Sequence, residues 1–90
     1  MDLNQLIKLL EINGENKNQF FIELNYRNQI YIFDIYDIKQ DFIKYNILHL
    51  HFKPYVMELS KINIVRCICN NQNKDKLYEL GFDKEKIKVK

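Results

Sequence analysis

The sequence predicts an α+β fold: a small antiparallel sheet of four to five strands with an N-terminal amphipathic helix and a short C-terminal helix. Phe, Tyr and Ile recur at alternate positions in short segments separated by Asn, Gly or Pro, which indicates strands joined by turns. Leu and Ile at helical spacing near the start, and a Gly that closes a charged segment near the end, indicate the two helices.

Length and composition limit what the chain can be. Its 90 residues fit one domain, residues 1–90, and are too few for a cofactor fold with a substrate domain. Hydrophobic residues make up 47%, which is typical of a folded globule, and no apolar run approaches the ~20 residues of a membrane span. The first residues have no basic leader followed by an apolar block, so we expect no secretion signal, and the two Cys have no framework spacing. We therefore expect no membrane contact and a cytoplasmic location.

The central element is a β-hairpin over residues 19–38, QFFIELNYRNQIYIFDIYDI. A two-residue turn at Asn28 and Gln29 is expected, with a three-residue loop as the alternative. That turn gives an apolar face with the pairs Tyr26–Tyr31, Leu24–Phe33 and Ile22–Ile35. It gives a mixed face with the pairs Phe21–Tyr36, Glu23–Asp34, Asn25–Ile32 and Arg27–Ile30.

A helix is predicted to precede the hairpin, with Asp2 as its cap and Asn13-Gly14 as its end. We expect its apolar stripe to pack on the apolar face of the hairpin, the alternative being a partner helix or a membrane surface. The stripe consists of Leu3, Leu6, Ile7 and Leu10.

The middle of the chain is predicted to add one strand. Residues 37–45 fit either a helical turn or a wide loop. Residues 46–53, NILHLHFK, alternate as a strand with Leu48, Leu50 and Phe52 on one face. Pro54 is expected to end this strand and to open a short helix over residues 54–61.

The last third predicts a central strand, a helix and an edge strand. Residues 62–69, INIVRCIC, are mostly apolar on both sides, as in a central strand. Asn70-Asn71 form a predicted turn, and a helix over residues 75–80 ends at Gly81, with Phe82 folding back. Residues 84–90 alternate Lys with Glu, Ile and Val, which indicates an edge strand protected by lysines.

Two His and two Cys are candidate metal ligands. His49 and His51 would lie on one side of a strand, roughly 7 Å apart between α-carbons, and Cys67 and Cys69 repeat this spacing. If the two strands were antiparallel neighbours, the four side chains could surround one ion. The alternative is surface His and core Cys, because free Cys is usually buried and structural zinc sites prefer turns. We expect no metal and no cofactor.

Paired carboxylates and lysines suggest two further functions. Glu23 opposite Asp34 would juxtapose like charges, which can mark a catalytic site, with His49 as a further member. The alternatives are that Lys39, Lys44 or Arg27 neutralises this pair, or that the expected register is off by one. Weak nucleic-acid contact would use the C-terminal lysines, with stacking on Tyr26, Tyr31 and Tyr36. The net charge of only +2 argues against a dedicated nucleic-acid binder.

One segment resembles part of a known family. Residues 71–82, which end in KLYELGF, are similar to the closing helix of GNAT-type acyltransferases. That family's pyrophosphate loop needs glycines after a strand, and this chain has only Gly14 and Gly81. The activity of the family is therefore not transferred to this chain.

Elimination leaves a protein-binding role as the leading hypothesis. The sequence has no phosphate loop, catalytic triad or dinucleotide fingerprint, so we expect a small non-enzymatic inhibitor or adaptor. The abundance of Ile, Asn and Lys, whose codons are rich in A and T, suggests an AT-rich bacterial genome or one of its phages or plasmids as the source. An anti-CRISPR or other anti-defence protein acting in the host cytoplasm on a protein or ribonucleoprotein is the concrete form. The predicted partner-binding residues are Phe21, Tyr26, Ile32, Tyr36, Asp34 and Glu23.

The mixed face of the hairpin also bears on oligomeric state. Phe21, Ile30, Ile32 and Tyr36 make this face too apolar to stand alone in water. Either another element of the chain covers it, or a second copy does, which would make a homodimer.

Overall fold

The computed structural model describes residues 1–12, 20–52 and 56–89, the side chain of Phe42 excepted. The predicted helix end at Asn13-Gly14, the first hairpin residue Gln19, and the residues Pro54 and Lys90 lie outside this part. Within it the α+β fold class is confirmed, with an N-terminal and a short C-terminal helix.

The described strands form two sheets rather than one. The helices are α1 (Leu3–Ile12) and α2 (Asn71–Glu79). The strands are β1 (Phe21–Tyr26), β2 (Gln29–Asp34), β3 (Ile38–Lys39), β4 (Ile47–Leu50), β5 (Val56–Glu58), β6 (Ile62–Cys69) and β7 (Ile87–Val89). One sheet has four strands in the order β2-β1-β6-β7, and the other has three in the order β3-β4-β5.

The hairpin forms, but its turn lies one residue earlier than predicted. Arg27 and Asn28 occupy the turn with φ of 52° and 66°, so both central residues are left-handed, as a type I′ turn requires. The predicted pairing is therefore wrong: Leu24 lies opposite Tyr31 and Ile22 opposite Phe33. Since every partner shifts by two residues, the side chains keep their predicted faces.

The four-stranded sheet is antiparallel except at β7. β6 lies between β1 and β7, as predicted for a central strand. The register between β1 and β6 shifts after Glu23, which leaves Val65 as an extra, bulged residue. β7 runs parallel to β6, because the chain crosses over through α2 before it returns.

A single buried cluster joins both helices to one face of this sheet and to the three-stranded sheet. The inner face of the four-stranded sheet contributes Ile22, Leu24, Tyr26, Phe33, Ile62, Cys67 and Cys69. The two sheets also meet through a hydrogen bond, since the backbone N–H of Glu58 donates to the Tyr26 hydroxyl at 3.4 Å.

Helix α1 begins as predicted but is rotated from the predicted stripe. The Asp2 carboxylate accepts a bond from the Gln5 N–H at 2.9 Å, and the Gln5 side chain accepts one from the Asp2 N–H. Leu9 and Ile12 are buried together with Leu6, whereas Ile7 is 40% exposed. The sequence alone does not fix the rotation of the helix, because Leu and Ile residues are spread around most of its circumference.

Residues 35–61 differ most from the prediction. Residues 37–45 contain β3 followed by a 3₁₀ helix over Gln40–Tyr45. Strand β4 ends at Leu50, so His51 lies in a turn, and Phe52 is 53% exposed whereas Leu48 and Leu50 are buried. The helix predicted over residues 54–61 is wrong in its described part, where β5 leads into a 3₁₀ turn over Leu59–Lys61.

The C-terminal helix starts earlier than predicted and ends where predicted. Asn70 is its N-cap and accepts a bond from the Asn73 N–H at 2.8 Å, so Asn70 and Asn71 open the helix. At the other end Gly81 has φ of 85°, and the N–H groups of Gly81 and Phe82 donate to Tyr78 and Leu77. This is a Schellman end, and Phe82 folds back onto the core as expected.

Candidate functional site: an exposed sheet face

The outer face of the four-stranded sheet is the most distinctive described surface. All buried hydrophobic residues of β1, β2 and β6 lie on the opposite, inner face. On the outer face Ile30 and Ile32 are 54% and 56% exposed, although both belong to a regular strand. We call this surface the open face, and by register it comprises Phe21, Glu23, Asn25, Ile30, Ile32, Asn63, Arg66 and Ile68.

An ion pair lies at the centre of the open face. Glu23 is opposite Arg66 on β6, and 3.2 Å separates the carboxylate Oε2 from the guanidinium Nε. The Glu23 side chain is only 15% exposed, so the pair is partly removed from water. On its other side Glu23 lies opposite Ile32 and not opposite Asp34. The predicted like-charge pair is therefore wrong, because the turn and hence the register begin one residue earlier.

Asp34 has a local structural role. Its carboxylate accepts a bond from the Tyr36 N–H at 3.0 Å, and its own N–H donates to the Asp37 carboxylate at 3.2 Å. These contacts cap the 3₁₀ turn Ile35–Asp37 that leads out of the hairpin. Lys39 and Lys44 are not needed to neutralise a carboxylate pair, since the pair does not form.

The predicted partner-binding residues divide into three groups. Phe21, Glu23 and Ile32 share the open face, as expected. Asp34 is paired with Phe21 at the end of β2, where it caps the 3₁₀ turn that contains Tyr36. Tyr26 is only 7% exposed and lies on the inner face, so it offers little surface to a partner and is not part of the open face. On the open face the highly exposed apolar residues are the isoleucines Ile30 and Ile32, and not tyrosines.

Arg66 and Ile68 lie on the open face but were not predicted. Both lie on β6, and their position follows from pairing with Glu23 and Phe21 across the sheet. The bulge at Val65 interrupts strict alternation in this strand, so a period of two counted through the sequence assigns faces incorrectly on one side of it. Ile64, rather than Val65, pairs with inner-face Leu24.

The candidate metal ligands are not brought together. β4 carries His49 in the three-stranded sheet, whereas β6 carries the cysteines in the other sheet, so these two strands are not the neighbours that a shared site requires. Lys39 lies directly opposite His49, and the His51 N–H donates to the Asp37 carbonyl at 2.8 Å. Within residues 1–12, 20–52 and 56–89, no three His, Cys, Asp or Glu side chains are grouped as metal ligands.

The cysteines are buried thiols. Cys67 is 1% exposed and Cys69 is fully buried, and neither is in a disulfide. Burial, with a smaller contribution from Cys69, raises the pKa of the Cys67 thiol from 9.0 to about 12. Burial also raises the pKa of Cys69. Both sulfurs are therefore neutral at pH 7, which makes them poor nucleophiles.

The lysines and tyrosines of the nucleic-acid hypothesis lie apart. The C-terminal lysines belong to the β7 edge, whereas Tyr31 belongs to the opposite edge strand β2, with β1 and β6 between them. Exposed Tyr45 has the Lys44 ammonium 5.2 Å from its ring centre, and Tyr78 is flanked by Lys74 and Lys84. The described surface thus offers separate aromatic contacts instead of a continuous stacking platform.

No protein-family model, no curated protein and no solved structure matches this chain. In the described part of the chain, no helix combines the length and apolar character needed to cross a membrane.

Proposed function

We propose that this protein is a small non-enzymatic inhibitor or adaptor that binds a protein or ribonucleoprotein through its open face. The observation that carries this proposal is the exposure of Ile30 and Ile32, each more than half accessible on a regular strand. Single exposed apolar residues are common, but a sheet face that groups them with Phe21 and Ile68 is a typical docking surface.

The charges of the open face support specific rather than unspecific contact. The Glu23–Arg66 pair borders the apolar Phe21, Ile32 and Ile68 on the open face, and it presents both signs of charge beside them. Asn25 and Asn63 form the polar row on its other side. An apolar patch with a few placed charges resembles the composition of protein interfaces, where Arg is enriched and Lys is depleted. An anti-defence protein of the anti-CRISPR type, acting in the host cytoplasm, is the concrete form of the proposal, and its support is size and elimination alone.

The test is an affinity capture from a lysate of the likely host, with and without nuclease, using matched variants. We expect one stoichiometric partner that survives nuclease and is retained by wild type. The charge-exchanged variant Glu23→Arg with Arg66→Glu preserves an ion pair but inverts its direction, so it should lose at least about tenfold in affinity. Ile7→Lys is the control, because it changes an equally apolar exposed residue on α1, away from the open face.

The outcomes separate the candidate functions. Capture that both variants retain would show that the open face is not the binding surface. Capture that nuclease abolishes would instead favour contact with nucleic acid through the lysines of the β7 edge. Residues Lys86 and Lys88, which line a shallow cavity with Arg66, would then be the residues to replace.

A further inference from the structure

The two edges of the four-stranded sheet are protected differently. β7 forms one edge, and its exposed Lys88 and the preceding Lys86 discourage pairing with another strand. β2 forms the other edge, and its sequence QIYIFD contains no Lys, no Pro and no Gly. Short segments of high β-propensity and low charge at an open edge are the ones that pair with further strands.

The backbone groups that face outward from β2 can be identified from the hairpin geometry. The residues that flank a two-residue turn exchange backbone hydrogen bonds, and such pairs recur at every second position. Tyr26–Gln29 is the first such pair, and the bond from the Ile35 N–H to the Phe20 carbonyl, at 3.1 Å, continues the same series. The N–H and C=O groups of Ile30 and Ile32 therefore point away from β1, toward the open edge.

The backbone N–H of the third outward residue of β2 already has a hydrogen-bond partner. Asp34 has the same orientation as Ile30 and Ile32, but its N–H donates to the Asp37 carboxylate. On the turn side Asn28 has left-handed φ and donates its N–H to the Asn25 side chain at 3.1 Å. The pairing-competent part of the edge is thus limited to the two isoleucines.

We infer that β2 pairs antiparallel with β2 of a second copy of this chain, about a twofold axis that passes between the two Tyr31 residues. In this register Ile30 lies opposite the partner's Ile32, so the outward groups of both isoleucines form hydrogen bonds. A register centred on Ile32 would place Ile30 opposite the partner's Asp34, whose N–H is already bound. The edge is therefore complementary to itself in one register, which identifies a second copy as the occupant.

This pairing has two consequences for the assembly. It joins the sheets into a continuous sheet whose remaining edges are both β7, so the lysines stop growth at the dimer. Side chains stand perpendicular to a sheet, so Ile30 and Ile32 of both copies form one apolar strip on a shared open face. The dimer therefore enlarges the proposed binding face without covering it, and it does not depend on the identity of the partner.

The first test is molecular mass as a function of concentration, measured by sedimentation and light scattering. We expect the mass to rise from 11.0 kDa toward twice that value between micromolar and millimolar concentration. Ile32→Pro removes an outward N–H but no bond to β1, so it should raise the dimer Kd by about tenfold or more. Ile7→Lys should leave the Kd unchanged. A mass of 11.0 kDa at all concentrations, or a dimer that Ile32→Pro does not weaken, overturns the inference.

The second test fixes the register and does not require the proline variant to fold. Tyr31 would face its own mate in a non-hydrogen-bonded pair, where α-carbons are about 4.5 Å apart and a disulfide can form. Tyr31→Cys should therefore give a cross-linked dimer on mild oxidation. Ile32→Cys places its two thiols diagonally, roughly 7 Å apart along the strand, and should cross-link much less. Equal cross-linking of both variants, or none with Tyr31→Cys, contradicts the register.

Discussion

Glu23 on β1 and Arg66 on β6 form an ion pair directly beside the bulge at Val65, with 3.2 Å between their charged atoms. The bulge allows this pair, because it moves Arg66 onto the face that Glu23 occupies while Ile64 remains with the inner residues. One irregular residue thus keeps the core apolar on one side and places a charge pair on the other.

This ion pair is expected to contribute measurably to stability. Because Glu23 is 15% exposed, Arg66→Met leaves a carboxylate partly buried without its partner and should lower the free energy of unfolding by about 1 kcal/mol. A double-mutant cycle with Glu23→Gln, measured by urea denaturation, should give a coupling of roughly 0.5–1 kcal/mol.

The matched control is Arg27→Met, measured by the same urea denaturation. Arg27 lies 4.0 Å from Glu58, and both side chains are more than half exposed, so its loss should change stability by less than ~0.5 kcal/mol. Equal effects of the two Arg replacements would contradict the argument from burial.

Substitution of the two hairpin-turn residues is expected to increase the stability of the protein. Arg27 holds φ of 52°, a conformation that costs an ordinary residue roughly 1 kcal/mol, while Asn and Gly adopt it readily. Replacement of both turn residues, Arg27→Asn with Asn28→Gly, creates the preferred sequence for a type I′ turn. Thermal and urea denaturation should show a gain of about 1 kcal/mol. A loss of stability would mean that the contact between the Arg27 guanidinium and the Tyr26 ring, 5.3 Å to its centre, outweighs the strain.

The end of α2 provides a test of backbone conformation alone. Gly81 has φ of 85°, yet a Cβ added there would meet no atom within 4 Å, so a substitution is strained without being crowded. Gly81→Ala should destabilise the protein by about 1 kcal/mol. Gly81→Asn should cost clearly less, because Asn tolerates left-handed φ. If both variants lost the same stability, the Schellman end would not be the cause.

Stability should fall at high pH because of Cys67. Its pKa is raised to about 12 in the folded protein, so above pH 9 the unfolded chain releases a proton that the folded chain retains. The stabilisation is complete below pH 9 and is lost as pH rises toward 12, by about 1.4 kcal/mol per unit. Urea denaturation of wild type and Cys67→Ala isolates this slope, because the lysines and tyrosines titrate in both proteins and only the Cys67 thiol differs. Identical slopes would refute the assignment.

The faces of the hairpin could be predicted from the sequence because they depend only on a period of two. The turn could not, since it places Arg27 at positive φ, where sequence preferences favour Asn or Gly. Likewise β4 has the alternation of any strand, and nothing in residues 47–50 reveals that its neighbours are β3 and β5 and not β6.

The candidate site was predicted in part for the same reason. Phe21, Glu23 and Ile32 lie on the open face because alternation places them there. Arg66 and Ile68 join them through pairing between distant strands and through a bulge, neither of which leaves a local signal. The sequence shows the charge of Glu23, but it does not show Arg66 as its partner, because the two residues lie far apart along the chain.

The seam between β1 and β6 has a consequence for how the chain folds. The hairpin on one side and the unit of β6, α2 and β7 on the other are each built from contacts between nearby residues. Across the seam, Tyr26 meets Ile62, which lies 36 positions later (62 minus 26). Closing so long a loop lowers the entropy of the chain before the stabilising contacts between β1 and β6 have formed. We therefore expect this docking event to set the folding rate, so that changes at the seam slow folding while changes at Gly81 mainly hasten unfolding.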